Sequence, residues 1–263
     1  MPEPTRTWGH IPPPAGGAVH VANAVRSARP VAAPPPVTLP ASADLRPDFA
    51  FLPPTDQGGL NSCTAQALGA CVALLAKRAT GRTAPPSPLF VYYNERVHDD
   101  DVNTKAAVLM TTGLEVVQSL GVCPEAAWPY DEAKYADVPP PAAFAEALTC
   151  RVARYEALAQ DATALKQTLA DGLPFVFGFA VYPAFKGTQI QKDGHLVMPA
   201  PGDFRLGGHA VVAVGYDDAN NWFVCRNSFG PGWGTSGYFT MPYDYALSAQ
   251  LAHDFWVIRE VSA

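Results

Sequence analysis

The chain has 263 residues, 48% of them hydrophobic and 16% charged, the composition of a globular protein with a sizeable core. Lys plus Arg is 18 against 24 for Asp plus Glu, a formal charge of -6 without any basic run, so nucleic acid and anionic membranes are not expected partners. The longest apolar stretches, Leu173 to Tyr182 and Ala210 to Tyr216, fall far short of the roughly 20 residues a spanning helix needs.

Eleven of the 27 prolines lie in the first 50 residues, including Pro12-Pro13-Pro14 and Pro34-Pro35-Pro36. Residues 1–38 therefore read as an extended arm outside the core. No signal-peptide pattern follows Met1, so a cytoplasmic protein, or one secreted without a recognisable signal, is expected. From Ser62 to Lys77 the chain predicts a helix, capped by Ser62, ended by Gly81 and apolar on nearly every side. Further helices are expected over Pro88 to His98, Thr112 to Leu120, Ala142 to Leu148 and Asp161 to Ala170. The texture then changes to short β-rich runs: Phe175 to Val181, His209 to Tyr216, Trp222 to Arg226, Gly237 to Met241 and Phe255 to Glu260. Asp217 to Asn221 is read as a hairpin connection. A helical half followed by a strand-rich half predicts an α+β protein of two lobes, about 39–147 and 148–263.

Five cysteines at irregular spacing, with no Cys-x-x-Cys pair, indicate neither a disulfide framework nor a thiolate zinc site. Cys71, Cys123, Cys150 and Cys225 read as small buried hydrophobes. Cys63 differs. In Asp56-Gln57-Gly58-Gly59-Leu60-Asn61-Ser62-Cys63 a glycine-rich approach places a thiol in the first turn of a buried helix. The helix dipole favours thiolate there, which suits a nucleophile, although a structural thiol fits the same position. In Gly207-Gly208-His209-Ala210-Val211-Val212 a histidine opens an apolar strand, as a proton carrier or as a satisfied core residue. In Arg226-Asn227-Ser228-Phe229-Gly230-Pro231-Gly232-Trp233-Gly234 an Asn leaves a strand, able to fix an imidazole or to make a turn.

Together these segments resemble the papain family of cysteine peptidases, which includes the cathepsins. The order Gln57, Cys63, His209, Asn227 matches, with Gln57 six residues before Cys63. His209 stands 146 residues beyond Cys63, close to the family interval of about 130–150. Leu39-Pro40, Asp44-Leu45-Arg46 and Trp128-Pro129-Tyr130 add to the likeness, which spans residue 39 to the C-terminus. The resemblance implies a papain-like fold, a helical lobe and a β-barrel-like lobe with the cleft between them. It also implies an endopeptidase in which Cys63 attacks the peptide carbonyl, His209 carries the proton, Asn227 orients the ring and Gln57 binds the oxyanion. Ser62, Gly178, Ala210 and Phe229 would contact substrate, with Gly178 and Ala210 making a roomy pocket and Phe229 shielding the Asn227–His209 bond. Polypeptide substrates, a monomer, and no metal or cofactor follow from the same likeness.

The chain departs from the family at several positions. Thr64 and Phe229 replace tryptophans, Leu60 replaces a disulfide cysteine, and Gly208 replaces a polar residue. Asp101 to Thr112 lacks a Cys-Asn-Gly-Gly segment. The arm is shorter than the family's pro-region, yet in extended form it is expected to cross and block the cleft. His195, in the loop Gly187 to Gly207, reads as a solvated residue, or as one that narrows the cleft for exopeptidase action. Acyl transfer by the same residues, or polypeptide binding by an inactive homologue, are the alternatives.

Overall fold

The structure, a computed structural model, describes residues 38–262, so the expected arm lies outside the described residues except for Thr38. Strand β1 (Ser42–Asp44) is the first strand of the described residues and joins the sheet, so they begin on the strand-rich side before the helices. Helix α1 (Cys63–Thr80) is buried without interruption from Cys63 to Ala76: Ala, Leu, Val, Cys and Gly fill it, and its two polar residues there, Thr64 and Gln66, find side-chain partners. Gly81 closes it, its N–H bonded to Lys77 O. Helix α2 (Pro88–His98) starts where the sequence places it: the Ser87 hydroxyl accepts from Phe90 N–H at 3.1 Å, and Pro88 fills a position whose N–H has no helical acceptor.

Helix α3 (Met110–Ser119) begins two residues before the expected Thr112 and crosses α1 at Gly113. A Cβ there would stand 2.5 Å from Leu68 Cδ1 and from Glu95 Oε1, so only glycine permits the approach. Helix α4 (Pro141–Ala147) completes the helical side. Strand β2 (Arg151–Ala157), which the sequence reading missed, precedes α5 (Ala162–Ala170), whose first turn is capped by Asp161.

Strand β3 (Phe175–Val181) is buried at every position, as its unbroken apolar run requires. The short helices α6 (Pro183–Lys186) and α7 (Thr188–Asp193) occupy part of the expected loop. Strands β4 (Gly207–Asp217) and β5 (Trp222–Arg226) form the expected hairpin. Strand β6 (Tyr238–Pro242), helix α8 (Tyr243–Leu247) and strand β7 (Ala252–Ser262) end the fold. The sheet is antiparallel in the order β2-β7-β3-β4-β5-β6, with β1 paired to β4. Helix α1 packs against β3, β4 and β7 on one side and against α2 and α3 on the other. The arrangement is the mixed α+β one, with α1 at the seam between helices and sheet.

No helix among the described residues is long and apolar enough to cross a membrane, and no group of three His, Cys, Asp or Glu among them could hold a metal ion.

Candidate active site

The segment before α1 is stitched to the segment after β5. Gln57 N–H donates to Ser228 O at 2.9 Å, Gly230 N–H donates to Thr55 O at 2.9 Å, and Asp56 bridges Phe229. Arg226 holds the approach, its guanidinium donating to Leu52 O and Pro53 O, both at 2.8 Å. Gln57 is fully buried and its side chain is fixed at both ends: Oε1 accepts from Ser228 Oγ at 2.6 Å and Nε2 donates to Leu60 O at 2.9 Å. An amide nitrogen carries two hydrogens, so one remains for another acceptor.

Six residues later Cys63 opens α1 and is fully buried. The first bond of the helical ladder runs from Gln66 N–H to Ser62 O, so the amide of Cys63 lies ahead of it. Thr64, where the family has Trp, is also buried and donates to Glu95 Oε2 at 3.1 Å. Burial pushes the Glu95 carboxyl up to about 8.

His209 lies on β4 opposite Phe179 of β3 and is fully buried. Its Nε2 meets Asn227 Oδ1 at 2.8 Å, and the same oxygen accepts from Ser228 N–H at 2.8 Å. An amide oxygen only accepts, so Nε2 carries the proton and Nδ1 is the basic nitrogen. Aromatic rings surround the imidazole. Phe229 stacks on it at 4.9 Å and 29°, Phe185 of α6 lies at 5.6 Å, and Phe179 meets it edge-on at 5.7 Å. Trp233 stands edge-on behind Phe229 at 5.5 Å. The polar bond between His209 and Asn227 is thus enclosed by apolar groups, which strengthens it electrostatically. Helix α1 faces this strand: Gln66 and Ala67 line one small internal gap with Ala210, Asn227 and Ser228.

Hydrogen bonds join Gln57 to Ser228 and Asn227 to His209, with Cys63 at the end of the Gln57 loop. The four residues expected to contact substrate, Ser62, Gly178, Ala210 and Phe229, are buried like Cys63 and His209 themselves. Ser62 sits at the N-cap but makes no capping bond; it is fully buried, and its hydroxyl meets Tyr130 Oη at 2.7 Å. Gly178 and Ala210 are cross-strand partners, both buried, one position along from the Phe179–His209 pair. Phe229 packs on His209 as the expected shield of its bond to Asn227 and is buried. His195 is exposed but tied to Thr240 Oγ1 at 2.8 Å and packed beside Trp222 at 5.3 Å. It borders a cavity of about 460 Å³, with Arg46, Tyr216 and Tyr238, that contains none of the four candidate residues.

Phe179, Phe185 and Tyr130 went unrecognised as parts of the site. Phe179 and Phe185 are apolar residues in apolar runs, and only the register of β3 against β4 brings Phe179 to the imidazole. Trp128-Pro129-Tyr130 was visible as a motif, without a role. The four remaining thiols are buried as expected, and burial pushes each upward, to about 12 for Cys71 and Cys123.

Comparison with known proteins agrees with this architecture. The family model described as papain family cysteine protease matches residues 39–257. An uncharacterized peptidase C1-like protein of Acanthamoeba polyphaga mimivirus is 38% identical over 216 residues, covering 79% of this chain and 70% of the viral protein. Chymopapain of Carica papaya is 29% identical over 215 residues, 77% of this chain and 54% of that protein. Among solved structures, xylellain, a cysteine protease from Xylella fastidiosa, superposes with a TM-score of 0.84 at 36% identity, covering 98% of both chains. Digestive procathepsin L 3 of Tenebrio molitor shares the fold, with a TM-score of 0.67 at 20% identity over 86% of this chain and 72% of its own. A buried histidine held by an asparagine, beside a helix that opens with cysteine, is therefore set in a chain that belongs to the papain family of cysteine proteases.

Proposed function

We propose that the chain is an endopeptidase that works through Cys63, His209 and Asn227, with Gln57 and the backbone N–H of Cys63 as oxyanion donors. Cys63 Sγ gives its proton to His209 Nδ1 and attacks the peptide carbonyl. The C–S bond forms, and the carbonyl electron pair moves onto oxygen. When the tetrahedral species collapses, the C–N bond breaks and the His209 proton goes to the leaving amine. A water, deprotonated by His209, then releases the acyl group and restores the thiol. Asn227 keeps the Nε2 proton in place, so that Nδ1 remains the atom that exchanges protons with sulfur. The remaining Gln57 N–H supplies charge stabilisation where negative charge develops, a contribution typically worth about 2.7–4 kcal/mol per donor.

The observation that carries this reading is the 2.8 Å bond from His209 Nε2 to Asn227 Oδ1 under the Phe229 ring. An imidazole buried only for packing has no need of a tautomer fixed by a doubly engaged amide. The test is cleavage of a pooled fluorogenic peptide library by the full-length protein, with Cys63→Ala in parallel. Turnover lost in Cys63→Ala supports the reading, while turnover that persists in it contradicts the reading.

The arm, residues 1–38, is proposed to act as an intramolecular inhibitor. A proline-rich segment loses little entropy on being ordered across a cleft. Two similar folds were solved as proforms, the Tenebrio molitor procathepsin L 3 and a ragweed pollen protease. Protein beginning at Leu39 is expected to turn over peptides faster than the full chain; equal rates would remove the arm from the mechanism.

A further inference from the structure

The loop between Gln57 and Cys63 has a partner that the reaction steps above do not use. Tyr130 Oη donates to Gln57 O at 2.8 Å and lies 2.7 Å from Ser62 Oγ. A phenol has one proton, and Gln57 O takes it, so Ser62 is the donor in the second bond. One hydroxyl therefore ties the residue that begins the loop to the residue that precedes the nucleophile. Two residues on, Glu132 Oε2 accepts from Gly59 N–H at 2.9 Å. Gly58 has φ +57°, and a Cβ on it would stand 1.8 Å from Glu132 Oε1, so the loop lies flat on this carboxylate.

The brace is itself anchored. Tyr130 N–H donates to Glu125 Oε1 at 2.6 Å, and the Ser87 hydroxyl that caps α2 donates to Trp128 O at 2.5 Å. Burial pushes the Tyr130 phenol up, so it remains a donor throughout the neutral range.

We propose that Tyr130 is a positioning residue of the reaction: its hydroxyl sets the distance between the two oxyanion donors, the Gln57 amide and the Cys63 N–H. This rests on the peptidase reading above. Oxyanion donors must lie about 2.7–3.1 Å from one oxygen position. The intervening loop contains Gly58-Gly59, the most permissive backbone available, and its internal bonds join Gln57 only to Leu60, leaving the span on to Cys63 to an outside brace. A misplacement of about 1 Å can cost on the order of 10²-fold in rate. Tyr130 spans the loop from end to end.

Tyr130→Phe keeps the ring and deletes both bonds. The expected result is a fall of about tenfold in kcat, the equivalent of one to two net hydrogen bonds, with KM within about twofold. Alkylation of Cys63 by iodoacetamide generates no oxyanion, and its rate should stay within about twofold of wild type. In a Gln57→Ala background the same substitution should cost less than about twofold, because the donor it positions is gone. Ser62→Ala removes one of the two bonds and should lower kcat by about threefold; it carries the test if Tyr130→Phe does not fold. Unchanged kcat, a loss that multiplies fully with Gln57→Ala, or parallel losses in alkylation and melting temperature would each overturn the positioning role. Turnover that persists in Cys63→Ala overturns the peptidase reading and this role with it. Turnover abolished in Cys63→Ala but unaltered in Tyr130→Phe overturns the positioning role alone.

Discussion

His209 and Gln57 are both fully buried, yet they are held in opposite ways. The imidazole has a short polar bond to Asn227 and is otherwise gripped by Phe179, Phe185 and Phe229. Gln57 has hydrogen bonds on its N–H, its carbonyl and both ends of its side chain, spread over Ser228, Leu60 and Tyr130. Packing holds the first group and hydrogen bonding holds the second. Packing energy is non-directional and collective, whereas a hydrogen-bond network is geometric and fails bond by bond. Damage to the aromatic packing around His209 should therefore appear mainly as lost stability, and damage to the bonds of Gln57 mainly as lost turnover.

The largest effect should come from Phe185→Ala. This ring is 1% exposed and touches Phe179, His209, Phe229, Trp233 and Phe239. Urea unfolding should show a loss of about 3–5 kcal/mol, the usual cost of an aromatic cavity. Next is Gln57→Ala, for which steady-state kinetics should give a loss of about 2.7–4 kcal/mol in transition-state stabilisation. Its stability should fall by only about 1–3 kcal/mol, from the partners left unpaired. If Phe185→Ala reduced only kcat, or Gln57→Ala only stability, the contrast would be wrong.

Glu95 sharpens the comparison, because it is a polar group held in a packed setting. It lies under the first turn of α1, accepts from Thr64 and is fully buried. Its pKa rises from the ordinary 4.5 to about 8 because burial disfavours the charged form. The folded state then binds more protons than the unfolded state between those values, and the Glu95 contribution to stability falls as pH rises through that window. Glu95→Gln cannot ionise, so its stability relative to wild type should increase from pH 5 to pH 9. A pH-independent difference between the two unfolding curves would contradict the shift. The smallest effect is expected for Ser228→Ala, about 1 kcal/mol in activation free energy, since Gln57 keeps its bond to Leu60.

Much of this was legible in the sequence, for local reasons. Ser87-Pro88 marks the start of α2, and the run Phe175 to Val181 can only be a buried strand. Gln57, Cys63, His209 and Asn227 are singled out by their order and spacing, which resemble the papain family; each of the last three alone also fits a structural role. What escaped was set by distant partners. β1 has three residues and exists through its pairing with β4, more than 170 positions away. β2 has a weak alternation and is defined by β7. Ser62 has the identity of a helix cap, yet Tyr130, 68 positions on, takes its hydroxyl. His195 stands in a turn-rich segment, and nothing local indicates that Thr240 and Trp222 hold it.

The most direct measurement is the site and pH dependence of cysteine alkylation in the folded protein. Brief treatment with iodoacetamide from pH 5 to pH 9, followed by peptide mapping, reports all five thiols at once. The account predicts labelling confined to Cys63 and weakened in His209→Ala, with Cys71, Cys123, Cys150 and Cys225, whose thiols burial pushes upward, silent throughout. Labelling spread over several cysteines, or Cys63 reacting equally well without His209, would contradict it.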